Sequence, residues 1–309
     1  MDSGTWGGRA MADFRSLEVF YWVAKLSSFR RASEQVNTTQ PAVSQRIAAL
    51  EHEYGTLFER RSRDVALTER GRVLLGFAER FLALQAEMGA VLNETGRTRG
   101  TLRLGVSETI VHLWLSRFIE RMRTAYPGIS VDIIVDISPN MQAALVANEI
   151  DLAFLVGPIT LPSLVNRPLF STPVAWVAAP TLVPGEEPLS LGALLTHPLI
   201  TYPRNTSPYV ELRDLVLRTN LLPSQIHTSA SLATIVKMGI EGLGICVIPP
   251  AIVQGELASG ALRILPAEQT LSDLTFTATY AKRPDRQFVA EAAKLAQEAA
   301  EGWARGRQA

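Results

Sequence analysis

Proline is nearly absent from the first 126 residues of this chain: Pro41 stands alone there, and the rest of the 18 prolines lie from Pro127 onward. Because proline breaks helix interiors and cannot donate to a central strand ladder, that distribution splits the chain into two regimes. From Asp13 to about residue 98 the sequence reads as helix almost throughout. From Thr101, β-branched runs (Thr101–Val106, Ser130–Ile137, Leu152–Val156) alternate with helical patterns. That alternation predicts an α/β domain with mainly parallel strands. The charged, glycine-bounded segment Gly96–Gly100 is the natural linker, and 309 residues suffice for about two domains with buried cores. Residues 1–12 are glycine-rich and aperiodic, a disordered arm by expectation, with Met11 as an alternative start.

Composition enters mainly by exclusion. Apolar residues make up 47%, too many for wholesale disorder. Cys246 is the only cysteine and the four histidines lack ligand spacing, so no disulfide framework, metal or cofactor is expected. A reducing, cytoplasmic location follows from the same count. The first twelve residues contain no apolar h-region, so no secretory signal is expected. The longest charge-free stretch, Pro168 to Gly185, carries four prolines and cannot cross a membrane as a helix. Lys+Arg and Asp+Glu balance at 30 each, but not evenly: residues 1–100 hold 14 basic and 12 acidic, leaving 16 and 18 for the remainder.

Within residues 14–52 three short helices fit. Leu17, Phe20, Tyr21 and Ala24 recur as one buried stripe, and Ser27-Ser28 break the pattern. Phe29, Ala32, Ser33 and Val36 form the inner face of a very short second helix. Asn37-Thr38-Thr39 make the turn, and Pro41 falls in the first turn of a third helix, where a missing N–H is harmless. Val43, Ile47 and Leu50 point inward there. Gln45 then points outward, flanked by Ser44 and Arg46 and by small alanines, a face able to enter a DNA major groove. On periodicity alone, a solvated face of a small bundle fits equally well. The next segment, Gly55 to Thr68, looks like a two-stranded wing with Arg60, Arg61 and Arg63 near its tip. Alone such a run fits a solvated loop; behind a groove-ready helix it fits a clamp on phosphates.

These residues carry a resemblance. Leu17, Phe20, Ser28-Phe29, Ala32, Gln40 to Ser44, Ile47, Leu50-Glu51, Gly55, Leu57-Phe58, Arg60, Arg63, Leu67-Thr68 and Gly71 resemble, nearly position by position, the N-terminal module of LysR-type transcriptional regulators. Ser33 departs from the usual alanine, and the arm before Met11 is long. The resemblance implies a winged helix-turn-helix over 13–70, with DNA contacts at Arg30, Thr39, Gln40, Pro41, Ala42, Ser44, Gln45, Arg46, Arg60, Arg61 and Arg63.

From Thr68 to about Glu94, Leu74, Phe77, Phe81, Leu84, Met88 and Val91 recur at alternating spacings of three and four. A narrow seam of that kind favours a partner helix, although packing against the chain's own three helices also fits. We read residues 71–96 as a linker and dimerisation helix, which implies a pseudo-palindromic promoter site in double-stranded DNA. The LysR resemblance adds a homotetramer built from two such homodimers.

Beyond Thr101 no nucleophile elbow, P-loop or zinc-protease motif appears, and no catalytic residue is assigned. Polar residues do sit just past predicted strand ends: Ser107-Glu108-Thr109, Ser138, Tyr202 to Thr206, and Ser229-Ala230-Ser231. Ligands of open α/β sheets bind at such positions, though any one of these side chains fits equally as a helix cap. Gly105, Phe118, Tyr126-Pro127, Asp151 to Ala153, Gly242, Gly244 and Pro249 resemble landmarks of the LysR effector domain. That implies a two-lobed, periplasmic-binding-protein-like α/β domain over 101–305. Lobe 1 is about 101–170 and 272–305, lobe 2 about 174–268, with crossings near Ser171 and Leu271. The implied effector contacts are Ser107, Glu108, Thr109, Ser138, Pro203, Arg204, Asn205, Ser229 and Ser231, with Arg204 as partner of a ligand carboxylate. The expected protein is thus multidomain, a ligand-responsive, DNA-binding regulator. The alternatives are a small-molecule-binding or transport-type protein with an appended helical module, and an enzyme using Glu108 and His112; helical spacing makes those two ordinary residues.

Overall fold

The computed structural model describes residues 13–60, 65–92, 100–183, 188–218, 225–283 and 287–306. The expected arm at 1–12 and linker residues 96–99 lie outside that set. The chain divides into two compact units, Met1–Glu94 with Arg283–Gln287, and Thr95–Lys282 with Phe288–Ala309.

The first unit begins with helix α1 (Phe14–Leu26), capped by Asp13, whose carboxylate accepts the Ser16 N–H at 2.6 Å. Ser27 ends it in the left-handed region (φ 47°), and the Ser28 hydroxyl starts α2 (Phe29–Gln35). Asn37 also takes positive φ (51°), which asparagine tolerates, letting the Thr38 N–H reach back to the Ser33 carbonyl at 2.9 Å. That turn aims α3 (Gln40–Tyr54), capped by Thr39 with Pro41 in its first turn. Strands β1 (Phe58–Arg60) and β2 (Val65–Leu67) pair antiparallel as a wing, and α4 (Glu69–Leu92) follows. Phe20 and Val23 of α1, Val43, Ile47 and Leu50 of α3, and Leu57 beside the wing close the core. Buried side chains of this size contribute about 1.5–3 kcal/mol each. Gly71 has a steric reason: a Cβ there would lie 2.2 Å from the Leu57 carbonyl oxygen.

The second unit runs, in order, β3 (Gly100–Val106), α5 (Glu108–Leu113), α6 (Leu115–Ala125), β4 (Ile129–Val135), α7 (Ser138–Val146), β5 (Leu152–Val156), β6 (Leu164–Thr172), β7 (Ala175–Ala178), α8 (Leu191–Leu195), β8 (Leu199–Thr201), α9 (Ser207–Arg218), β9 (Ile226–Thr228), α10 (Leu232–Ile240), β10 (Ile245–Ile248), α11 (Gln254–Ala258), β11 (Arg263–Ile264), β12 (Leu274–Ala281) and α12 (Gln287–Arg305). Two five-stranded sheets result, ordered β4-β3-β5-β12-β6 and β11-β7-β10-β8-β9. The expectation of mainly parallel strands needs correction, because among the described residues four of the eight strand pairings in these two sheets are antiparallel. The cause is topological. The chain leaves the first sheet through β6 and returns through β12, and these two pair antiparallel from Leu274↔Thr172 to Ala281↔Leu164.

Each sheet builds a lobe. In the first, Leu104, Trp114, Phe118, Phe154 and Phe276 pack with the alanine face of α12 (Ala292, Ala293, Ala296, Ala299, Ala300), whose small side chains let the helix lie close. At the start of β5, buried Asp151 takes a two-pronged ion pair from Arg103 (2.8 and 3.2 Å) together with the Arg103 N–H at 3.0 Å. In the second lobe, Leu199, Leu212, Ile245 and Val247 fill one face and Ile200, Leu232, Ile235 and Cys246 the other. Burial pushes the Cys246 thiol up to about 12.

Candidate functional site

On α3 the inward stripe is closed, with Val43, Ile47 and Leu50 buried, whereas Gln40, Pro41, Ser44, Gln45, Ala48 and Ala49 face solvent and Ala42 is half-exposed. Arg30, on α2, and Thr39 are exposed as well. Arg46 differs from the rest. Its guanidinium lies 3.2 Å from Asp13 and 3.3 Å from the Ser16 hydroxyl, so it braces α3 against the start of α1. Hydrogen bonds from Ser16, with the nearby Arg46 charge, hold the Asp13 carboxyl below its usual value. The Arg60 side chain, Arg61 and Arg63 lie outside the described residues.

One organising residue escaped sequence reasoning. Glu51, in the last turns of α3, accepts the Leu57 and Phe58 N–H groups at 2.9 and 3.0 Å, anchoring the wing to the helix. Thr68 completes that anchor, donating to the Thr56 carbonyl at 2.8 Å and accepting the Gly71 N–H at 3.0 Å. A carboxylate six residues before two adjacent apolar residues was the available signal.

Helix α4 has two apolar faces. Gly71, Ala78 and Leu82 are buried, with Leu75 partly buried, packing on the unit's own core. Phe77, Phe81, Leu84 and Met88 are exposed at 49%, 44%, 61% and 54%. Leu74 sits between the faces, half-buried, and the Val91 side chain lies outside the described residues. A groove of about 630 Å³, lined by Leu17, Tyr54, Val73, Leu74, Phe77 and Phe81 among others, runs beside the exposed face.

Between the two lobes lies a cavity of about 200 Å³. Ser107, Glu108 and Thr109 after β3, Asp136 and Ser138 after β4, and Tyr202 and Thr206 after β8 line it, with Val135, Ile137, Val156 and Leu274 supplying apolar wall. Among the described residues the charged groups lining it are Glu108 and Asp136, and no lysine, arginine or histidine does so. The Ser138 hydroxyl accepts the Val156 N–H at 3.0 Å. The Tyr202 hydroxyl is buried without a well-formed hydrogen bond. Burial pushes that phenol well above its ordinary range, the adjacent Thr109 hydroxyl opposes the shift, and the Glu108 charge adds to it.

Glu108 spans the cleft. From the start of α5 its carboxylate accepts the Leu232 N–H at 2.7 Å and, more weakly, the Ala233 N–H at 3.4 Å and the Ser231 hydroxyl at 3.5 Å, all at the N-terminus of α10 in the other lobe. The His112 imidazole stands 3.7 Å away.

The remaining expected contacts lie away from this cavity. Pro203, Arg204, Asn205, Ser229 and Ser231 do not line the cavity. Arg204 and Asn205 turn to solvent, and Asn205 lines a different depression. The Ser229 hydroxyl donates to the Ser231 carbonyl and accepts the Ser231 N–H, and the Ser231 hydroxyl caps α10 by accepting the Thr234 N–H. Tyr202, Thr206 and Ala230 take their place on the wall. The loops following β8 and β9 reach the cleft, but through neighbouring residues, because a turn residue's direction depends on how its loop packs.

Comparison with known proteins agrees with both halves. Residues 14–72 match the bacterial regulatory helix-turn-helix protein family model of lysR type, and residues 95–302 match the LysR substrate binding domain. The chain is 27% identical over 260 residues to the HTH-type transcriptional regulator GltR of Bacillus subtilis, covering 83% of this chain and 85% of that protein. It is 30% identical over 262 residues to the regulator IlvR of Caulobacter vibrioides, covering 78% and 83%. Its fold resembles the crystal structure of ArgP from Mycobacterium tuberculosis, with a TM-score of 0.65, 21% identity, and coverage of 93% and 97%.

Proposed function

Since the chain belongs to the LysR family of DNA-binding transcriptional regulators, we propose that it reads a promoter through α3 and senses a small polar metabolite in the interlobe cavity. The observation that carries this is one chain holding both an exposed helix face of Gln45, Ser44 and small alanines and a cavity at strand ends. In this reading Gln45 pairs with an adenine edge, Ser44 with either base, and Arg30, Arg60, Arg61 and Arg63 with phosphates. Arg46 serves by positioning α3. The exposed face of α4 joins two copies, setting paired recognition helices on a pseudo-palindrome, and two dimers make a tetramer. The domain division follows that plan: reader 13–70, linker helix 71–96, sensor 101–305. The cleft is a binding site rather than a catalytic one.

The acidic effector expected from Arg204 finds no partner there, because Arg204 lies off the wall and the described charged groups on it are carboxylates. A cytoplasmic location accords with the lone free thiol, and among the described residues no helix is long and apolar enough to cross a membrane.

Fluorescence anisotropy on DNA flanking the protein's own gene tests the reader. Gln45→Ala should cost about 1–3 kcal/mol on the preferred site and little on random DNA, whereas Arg63→Ala should weaken both and flatten the salt slope by about one unit. Equal binding of all sequences by the wild type, with neither substitution mattering, would defeat the proposal.

A further inference from the structure

A helix N-terminus presents unpaired N–H groups and the positive end of the helix dipole, and it is a ready receptor for a ligand anion. In the interlobe cleft that receptor is already filled from within the chain. Glu108, from the opposite lobe, bonds the Leu232 N–H at 2.7 Å and leans on Ala233 and Ser231 through its other oxygen at 3.4 and 3.5 Å. The second wall carboxylate, Asp136, engages the Ile137 N–H and the Asn140 amide through a single oxygen, Oδ1. Among the described residues no basic side chain lines the cavity; His112, 3.7 Å from the long-bonded oxygen of Glu108, stands outside the lining. The buried Tyr202 hydroxyl supplies one more unfilled hydrogen-bonding group on the same wall.

We propose that Glu108 is the built-in anion of this site and its specificity determinant: the cavity rejects carboxylate and phosphate ligands and takes a small ligand presenting an ammonium or guanidinium group. An acidic ligand would meet two like charges in a confined space with its natural receptor occupied, whereas a cation would find the long-bonded oxygen of Glu108 and the spare oxygen of Asp136. Because the same carboxylate ties α5 to α10, a cation drawing on it also acts on the contact between the lobes. The inference rests on the cleft being the effector site, as proposed above.

Two four-carbon probes of opposite charge, 1,4-diaminobutane and succinate, separate the cases by thermal shift on the full-length protein. Wild type should be stabilised by the diamine and not by succinate. Glu108→Gln keeps a hydrogen-bond acceptor but removes the charge, and should shift the preference toward succinate by about tenfold or more. An unchanged preference in Glu108→Gln, a wild type that favours succinate, or no response to either probe would overturn the assignment. Gln142→Trp, which fills the cavity, tests the site itself: diamine stabilisation that persists there overturns the cleft assignment, whereas stabilisation lost there together with an unchanged preference in Glu108→Gln overturns the role of Glu108 alone.

Discussion

The exposed face of α4 yields a number. Phe77 is 49% exposed, and full burial of such a side chain contributes about 1.5–3 kcal/mol. If α4 pairs with a second copy, the open half of Phe77 is worth about 0.7–1.5 kcal/mol per copy and, by symmetry, about 1.5–3 kcal/mol per dimer. At about 1.4 kcal/mol per decade, Phe77→Ala should weaken dimerisation roughly tenfold to a hundredfold. Within one chain the loss is small: Arg80 lies over the Phe77 ring at 4.6 Å, a contact worth about 0.5–1 kcal/mol at an exposed site. Leu82, 6% exposed on the opposite face, supplies the contrast, since Leu82→Ala should cost about 2–5 kcal/mol of folding stability with little direct effect on the dimer constant. Sedimentation equilibrium across a dilution series measures the first quantity and urea unfolding the second. If Phe77→Ala left the dimer constant unchanged and unfolded the chain as readily as Leu82→Ala, Phe77 would belong to the core and the seam assignment would be wrong.

Three further outcomes follow from the geometry. Glu51→Ala strands two backbone N–H groups beneath the wing and should cost about 1–3 kcal/mol in urea unfolding, with a loss of DNA affinity as the wing loosens. Asp151→Asn breaks a pair whose carboxylate is 1% exposed while Arg103 keeps 30% exposure, so a loss near the lower end, about 3 kcal/mol, is expected in thermal unfolding. Cys246, raised from 9.0 to about 12 by burial, favours the folded state while neutral. Its contribution is therefore complete below pH 9 and lost as the pH climbs toward 12, so Cys246→Ala should flatten the alkaline fall in stability. The native thiol should also resist iodoacetamide at pH 8, and rapid alkylation would contradict its burial.

Much of the reader was legible in the sequence because its signals are local. Caps such as Thr39, the turn at Asn37 to Thr39, and the stripe Val43, Ile47, Leu50 depend on residues three or four apart. On α4 the spacing of Phe77, Phe81, Leu84 and Met88 marked the row that stays exposed, whereas the buried face through Ala78 and Leu82 was not read from it. The bracing role of Arg46 was not visible, because Asp13 lies 33 residues away. The wing's anchor at Glu51 was missed although its partners are only six and seven residues on, since a carboxylate accepting backbone N–H groups leaves no periodic trace.

By itself, then, the amino-acid order determined the element types, their caps, the exposed apolar row of α4, and the strand ends at which polar residues would gather. Only the tertiary structure decided that the sheets are mixed, that Arg204 stands off the cavity wall, and that Glu108 reaches Leu232 across 124 positions of sequence. Helix and turn formation follow from interactions within one or two turns of chain, whereas membership of a cavity is set by how distant segments pack, and no local spacing records that.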